Sequence, residues 1–141
     1  MIEISSCDTY SEVLLLSKAA KILRKHIFST KSNFTGTFLP DCQTQSVPTI
    51  LSTFMQMLLD GPCMLKTQSS QKPSTAVTSL SQLIVFNAVK QRYCAPDRLP
   101  RHIRDRETPL AICIAIKLCV MTRKESIIDK VHEKGLCISY T

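Results

Sequence analysis

Hydrophobic residues recur at helical spacing in the first part of the chain, at alternating steps of three and four residues. This pattern places them on one face of a helix. Thr9 and Glu12 have the spacing of a capping box, in which each side chain bonds a free backbone N–H of the first turn. We therefore predict a helix over residues 9–29. Its apolar face consists of Val13, Leu16, Ala20, Leu23 and Ile27.

A second apolar pattern predicts a helix over residues 47–60. Pro48 fits in its first turn, because a proline there removes a backbone N–H that would have no partner within the helix. Gly61 and Pro62 predict the end, since glycine permits a left-handed cap and proline blocks continuation. Residues 30–46 have no periodicity and are predicted to form a loop. The predicted apolar face consists of Val47, Ile50, Leu51, Phe54 and Leu58.

Residues 66–76 are rich in Ser, Gln, Thr, Lys and Pro, which predicts a flexible linker. The linker separates an amino-terminal helical half, residues 1–65, from a carboxy-terminal helical half, residues 77–141. The two halves form one domain, which we expect to be incomplete. The second half opens with a predicted helix over residues 77–92, and a strand is the alternative near Val85-Phe86. The apolar residues of this helix are Leu80, Leu83, Ile84 and Ala88.

The segment 109–121 permits two interpretations. Thr108 is a suitable N-cap residue and Pro109 a favourable first helical residue, so we predict a helix. That helix would be apolar nearly all round, which is typical of an element at the centre of a core. A buried strand over residues 110–120 remains the alternative, because alternate residues are also apolar. The strand face would consist of Ile112, Ile114, Ile116, Leu118 and Val120.

The last predicted helix spans residues 123–134. Thr122 and Glu125 have capping-box spacing, and Gly135 followed by Leu136 is typical of a Schellman ending. The fold class predicted for the chain is therefore all-α, with about five short helices in an irregular bundle and a flexible linker. The apolar side of the last helix consists of Ile127, Ile128 and Val131.

The composition favours an intracellular protein without a membrane-spanning segment. The longest apolar run, residues 110–116, is much shorter than the roughly 20 residues that cross a bilayer. The seven cysteines are odd in number and irregularly spaced, unlike a disulfide scaffold. Reduced thiols are typical of the nucleus and the cytoplasm, so we expect one of these locations.

The charge of the chain is strongly basic, with 18 Lys and Arg against 11 Asp and Glu and a net charge of +7. The most basic segment lies within residues 90–106, where two prolines interrupt any long helix. Arginine side chains bind phosphate oxygens well, so this predicted basic loop is expected to bind DNA or RNA. A solvated loop that keeps the chain soluble is the alternative. The candidate nucleic-acid-binding residues are Lys90, Arg92, Arg98, Arg101, Arg104 and Arg106.

No group of residues in the sequence predicts catalysis or metal binding. Structural zinc sites usually contain a close cysteine pair, and the chain has no Cys-x-x-Cys. The three glycines lie far apart, so no phosphate-binding loop is predicted. We therefore expect no enzymatic activity, no cofactor and no metal. Contact with a protein through exposed apolar helix faces is the other expected mode of binding.

The carboxyl end has the order of residues found in the first half of a helix-turn-helix motif. A helix over 123–134 is followed by Gly135 and then by the small polar residue Ser139. One helix followed by a short extended tail is the alternative. A helix starting at Ser139 would fall short of the roughly 12 residues that a marginal helix needs. We therefore expect residues 136–141 to be poorly ordered and the chain to be prone to associate.

Four short segments together resemble part of long, uncharacterised animal open reading frames that occur in many copies and are associated with mobile elements. The resemblance covers nearly the whole chain as an internal part of a larger protein, and it implies no catalytic residues. It also implies that the chain is a fragment or a decayed copy. The segments are Phe34-Thr35-Gly36-x-Phe38 with Pro40-x-Cys42, residues 79–87 (SLSQLIVFN), residues 107–110 (ETPL) and residues 135–140 (GLCISY).

The function expected from these observations is that of a non-catalytic, nucleic-acid- or partner-binding fragment of a mobile-element-like protein. The basic segment, the helix-turn-helix pattern and the resemblance all favour it. Two alternatives differ in class. One is a purely structural helical domain for protein–protein interaction, and the other is a decayed copy without activity.

Overall fold

A computed structural model of the chain describes residues 4–30, 35–62, 72–88 and 107–140. Within these ranges the chain forms six α-helices and no strand. This confirms the predicted all-α class. The helices are α1 (Ile4–Ser29), α2 (Cys42–Gln45), α3 (Thr49–Asp60), α4 (Thr75–Asn87), α5 (Pro109–Thr122) and α6 (Glu125–Glu133).

Helix α1 begins at Ile4 rather than at residue 9, so Thr9 and Glu12 lie inside the helix. The predicted capping box is therefore wrong. A capping box satisfies the free N–H groups of the first turn, and residues 9–12 are beyond the first turn. The end of α1 at Ser29 agrees with the prediction. The hydroxyls of Ser29 and Thr30 both donate there to the carbonyl oxygen of His26.

The segment predicted as a loop contains the single-turn helix α2, and α3 follows it closely. Pro48 is the N-cap residue of α3 rather than a residue of its first turn, so α3 starts at Thr49, two positions after the predicted start. It ends at Asp60 as predicted, but Gly61 has a φ of +99° and a ψ of 158°, which is not the predicted left-handed cap. L-residues rarely adopt this conformation, so the glycine ends the helix as the sequence predicts.

Helix α4 starts at Thr75, two positions before the predicted start, because the Ser74 hydroxyl accepts the N–H of Val77 at 3.3 Å. It ends at Asn87 instead of residue 92, since Ala88 has an extended backbone with φ −68° and ψ 124°. The alternative of a strand near Val85-Phe86 is wrong.

The segment that permitted two interpretations is the helix α5, so the strand alternative at residues 110–120 is also wrong. Thr108 is the N-cap residue and Pro109 the first helical residue, as predicted. The capping box at Thr122 is wrong, because Thr122 is the last residue of α5 and its hydroxyl donates to the Leu118 carbonyl at 2.7 Å. Lys124 is the N-cap residue of α6 instead.

After α6 the chain turns back onto the fold. Gly135 has a φ of +71°, its N–H bonds to the His132 carbonyl at 2.8 Å, and the Leu136 N–H bonds to the Val131 carbonyl at 3.3 Å. These two bonds form the predicted Schellman motif. Cys137 is then fully buried. The prediction of a poorly ordered segment from residue 136 is therefore wrong for Cys137 and Ile138, which pack in the second core cluster.

The core consists of two clusters of buried side chains. The first joins the end of α1, the link between α2 and α3, and α3 itself to α4, so it draws on both sides of the predicted linker. The second joins α5, α6 and the segment after α6. The first cluster consists of Ile27, Val47, Leu51, Met55, Val77 and Val85, and the second of Ala115, Ile128 and Cys137.

The buried faces of α3 and α4 differ from the predicted ones. On α3, Leu51 is buried as predicted, but Met55 replaces Leu58, which is exposed. On α4, the predicted apolar residues Leu80 and Ile84 are exposed. Helix α4 packs against α2, α3 and α5, so its buried face is set by these three neighbours rather than by its own apolar pattern. The buried residues of α4 are Val77, Thr78, Ser81, Gln82, Val85 and Phe86.

Candidate interaction surface

Helix α1 is 26 residues long, about 39 Å at the rise of an α-helix, and its packing on the rest of the fold involves its carboxy-terminal turns. Ile27 is 4% exposed and Leu23 is half-buried, and both belong to the first core cluster. Farther toward the amino end, Val13, Leu16 and Ala20 of the predicted face are exposed. The face predicted from the sequence therefore exists, but the fold covers only its last part.

Large apolar side chains cover the exposed part of α1 on all sides. Leu15 and Leu16 each have 65% of their surface exposed. Successive residues of a helix are about 100° apart, so the run from Val13 to Leu16 points in four directions around the axis. We call the exposed large side chains of this helix the α1 apolar surface. It consists of Tyr10, Val13, Leu14, Leu15, Leu16 and Ile22.

The charges of α1 are divided between its two ends. Asp8 and Glu12 lie in the amino-terminal part, and the next charged residue, Lys18, follows six positions after Glu12. That distance is about 9 Å along the axis. No acidic and basic residues of α1 from Asp8 onward are three or four positions apart, so their spacing does not permit ion pairs within the helix. Cationic side chains follow at Lys18, Lys21, Arg24 and Lys25, with the Arg24 guanidinium 4.8 Å from the centre of the Phe28 ring.

Two smaller apolar groups are exposed on α3 and α5. Leu58 and Leu59 end α3, and Val120 and Met121 lie in the last turn of α5. The sequence predicts that α5 is central to the core, which is wrong for its carboxy-terminal turns. The second core cluster covers one side of this helix and leaves the other side open. Neither group approaches the number of large side chains in the α1 apolar surface.

Fully buried polar side chains connect α4 to α5. The Gln82 Oε1 atom accepts the N–H of Leu110 at 2.9 Å and so satisfies a free donor in the first turn of α5. The Thr108 hydroxyl, expected to cap this helix, makes no hydrogen bond to a described residue, and neither do the Ser81 hydroxyl and the Gln82 Nε2 atom. Asn87 connects α4 to the end of α6, because its Nδ2 atom donates to the Gly135 carbonyl at 2.8 Å. These contacts stabilise the packing of the helices.

The thiol of Cys137 lies in the second core cluster. Burial raises the pKa of the Cys137 thiol, and the negative charge of Asp129 adds to the effect. Its Sγ atom donates to the Ile128 carbonyl at 3.6 Å, so the thiol is a neutral donor in the second core cluster. In the described ranges no group of three or more His, Cys, Asp or Glu side chains could hold a metal ion.

The six cationic residues predicted to bind nucleic acid lie outside the described residues, because the structure describes nothing between Ala88 and Glu107. The α1 apolar surface, by contrast, extends the predicted face by four residues, Tyr10, Leu14, Leu15 and Ile22. The sequence contains an indication that Leu14 and Leu15 are exposed. Four consecutive apolar residues, 13–16, cannot all lie on one face of a helix, so some must be exposed or meet a partner.

No protein-family model, curated protein or solved structure matches the chain. Among the described helices, none combines the length and the apolar character needed to cross a membrane.

Proposed function

We propose that this chain is a non-catalytic binding module in which a helical body carries the projecting helix α1, and that the α1 apolar surface contacts a partner protein. The observation that supports it is the exposure of six large side chains within residues 10–22 of a helix whose other end is packed in the core. Contact with water costs such a surface roughly 25 cal/mol per Å² of apolar area. A protein partner would remove that cost, and contiguous exposed apolar groups of this kind mark interaction sites.

A photo-crosslinking amino acid at position 15 tests this proposal in cells that express the chain. The same amino acid at position 58 is the control, because Leu58 is also an exposed leucine of a helix but lies outside the α1 apolar surface. We expect protein adducts at position 15 in clear excess over position 58, and their loss when Leu16→Glu is added. Equal yields at the two positions would contradict the proposal.

A second candidate function is binding of nucleic acid through Lys90, Arg92, Arg98, Arg101, Arg104 and Arg106. The charge of the chain, +7, supports it, together with the concentration of cations in one segment. Phosphate contacts release counterions, so six to ten of them weaken binding by roughly 10³- to 10⁵-fold between 50 and 200 mM salt. Gel-shift titrations with DNA and RNA at these two salt concentrations test the idea. Absence of a shift at low salt would remove this candidate.

We further propose that the module belongs to a larger, mobile-element-like protein that acts inside the cell. The resemblance of residues 79–87 and 135–140 to multi-copy open reading frames supports the first part, and the free thiols of the described cysteines support the second. Sequencing around the coding region tests the context. Many near-copies, or an in-frame continuation, are expected, and a single isolated gene would argue against the proposal.

A further inference from the structure

The charge pattern of α1 indicates which kind of helix can lie beside it. The exposed acidic residues Asp8 and Glu12 precede the α1 centre, and the exposed cations Lys18 and Lys21 follow it. A partner helix that runs antiparallel must therefore have acidic residues near its own amino end and cations near its carboxyl end. α1 itself has this order of charges.

The dipole of the helix does not account for these charges. Its effect on side chains falls off within the first and last turns. Glu12 lies more than two turns after the start of α1 at Ile4, and Lys18 lies about three turns before its end at Ser29. The charges in the middle of the helix are exposed and are thus open to a partner, and an antiparallel copy has the complementary order of charges.

We propose that two copies of this chain associate by antiparallel pairing of their α1 helices. The inference rests on the proposed function and names the partner of the α1 apolar surface as a second copy. A two-fold axis near residues 14–15 places Val13 of one helix opposite Leu16 of the other. The same axis places the Asp8 and Glu12 side of each helix beside the Lys18 and Lys21 side of its partner.

The position of the axis follows from the part of the helix that is free. Core residues of the same chain cover the packed side of α1 from Leu23 to Ile27, so a second helix has access mainly to the part of α1 before Leu23, where the described exposed side chains lie within residues 8–22. Pairing of this segment with itself must centre near residue 15. An interface made by two copies in this way is isologous and closes as a dimer.

The length of the paired segment limits the strength of the dimer. Residues 8–22 span only about 21 Å of helix, and interfaces below about 1,200 Å² belong to the weak and transient class. We therefore expect a monomer–dimer equilibrium in the micromolar range rather than a permanent dimer.

Sedimentation equilibrium of the purified full chain, under reducing conditions because of its free cysteines, tests the pairing. We expect a dimer fraction that rises with protein concentration, and a loss of at least tenfold in affinity for Leu16→Glu. Leu58→Glu is the matched control, since this leucine is 61% exposed and lies on α3; we expect it to retain the association. Both variants should keep the helical circular dichroism and melting temperature of the original chain. A monomer at every concentration, or equal loss in the two variants, would overturn the proposal.

Charge reversal tests the antiparallel direction. Glu12→Lys places a cation beside the cations of the partner, so we expect the dimer to weaken roughly two- to fivefold at low salt. Adding Lys18→Glu to the same chain restores opposite charges and should restore the affinity. In a parallel pair Glu12 would face its own copy, and Glu12→Lys would only exchange one repulsion for another. An unchanged affinity in the single variant would therefore overturn the antiparallel arrangement.

The outcomes for the two proposals are separable. A purified chain that stays monomeric contradicts self-pairing, while adducts of position 15 with other proteins in cells would still support the proposed function. If position 15 gives no excess of adducts of any size, including the dimer, the proposed function itself fails.

Discussion

Helices α1 and α4 show how differently the fold uses two helices of the same chain. Among the described side chains of α1, Ile27 is the only buried one, although the helix has 26 residues and a continuous apolar face. Helix α4 has 13 residues and buries six of them, including the polar residues Thr78, Ser81 and Gln82. Helix α4 lies against both α3 and α5, whereas α1 meets α3 through its last turns. The number of neighbouring helices, rather than apolar character, decides how much of each helix is buried.

Of the substitutions that test this difference, loss of a large side chain from α4 should lower the free energy of unfolding the most. Phe86 is 2% exposed, and truncation of a buried phenylalanine to alanine costs about 3–5 kcal/mol through lost burial and the cavity left behind. We expect Phe86→Ala to lower the free energy of unfolding by this amount in urea titrations followed by circular dichroism. Leu80→Ala is the control on the exposed side of the same helix. Losses of equal size would show that α4 is not packed as described.

Removal of the Gln82 amide should cause the next largest decrease in the free energy of unfolding. Gln82→Ala leaves the partly buried Leu110 N–H without its acceptor, which costs about 1–3 kcal/mol. The neighbouring Ser81 is equally buried, but its hydroxyl makes no hydrogen bond to a described residue, so Ser81→Ala is expected to be neutral or slightly stabilising. Urea titrations of both variants measure the difference. A greater loss for Ser81→Ala would contradict the assigned role of Gln82.

A substitution at Gly135 tests the contact between Asn87 of α4 and the segment that follows α6. A φ of +71° disfavours alanine by about 1–2 kcal/mol. The added Cβ would also lie 2.5 Å from the Asn87 Oδ1 atom and displace that side chain. We expect Gly135→Ala to lower the free energy of unfolding by about 1–2 kcal/mol or slightly more.

Gly36→Ala is the matched control, because Gly36 also has a positive φ but a Cβ there would meet nothing within 4 Å. A double-mutant cycle with Asn87→Ala isolates the contact between the two residues. We expect part of the Gly135→Ala loss to disappear when Asn87 is already alanine. Strict additivity would show that the loss comes from the backbone conformation alone.

Substitution of an exposed apolar residue of α1 should have the smallest effect on folding. Leu16→Ala removes a side chain that is 65% exposed, and surface substitutions usually change stability by less than about 0.5 kcal/mol. The free energy of unfolding should be measured at low protein concentration, where the proposed dimer dissociates. A loss comparable to that of Phe86→Ala would mean that this part of α1 packs on the monomer.

Local chemistry in the sequence predicted the helical class and several of the helix ends. Gly61 and Gly135 end α3 and α6 as predicted because their positive φ values suit glycine. Pro109 begins α5 because its fixed φ and missing N–H cost nothing in the first turn. The predicted capping boxes at Thr9 and Thr122 failed because the same residue spacing also occurs where a helix has already begun or has not yet ended. Residues 13–16 also contain a signal for the candidate surface that the prediction of α1 did not use, since no single helix face can hold four consecutive apolar residues.

Tertiary packing decided which apolar and polar faces are buried. The Gln82–Leu110 bond joins residues 28 positions apart, and the Asn87–Gly135 bond joins residues 48 positions apart. No periodicity within α4 could identify these partners, so the sequence predicted Leu80 and Ile84 as its core residues and missed Gln82. The sequence likewise predicted the α1 face from Val13 to Ile27 but not where its contact with the core begins. Helical spacing shows which residues share a face, whereas burial of that face depends on the neighbours that the fold brings against it.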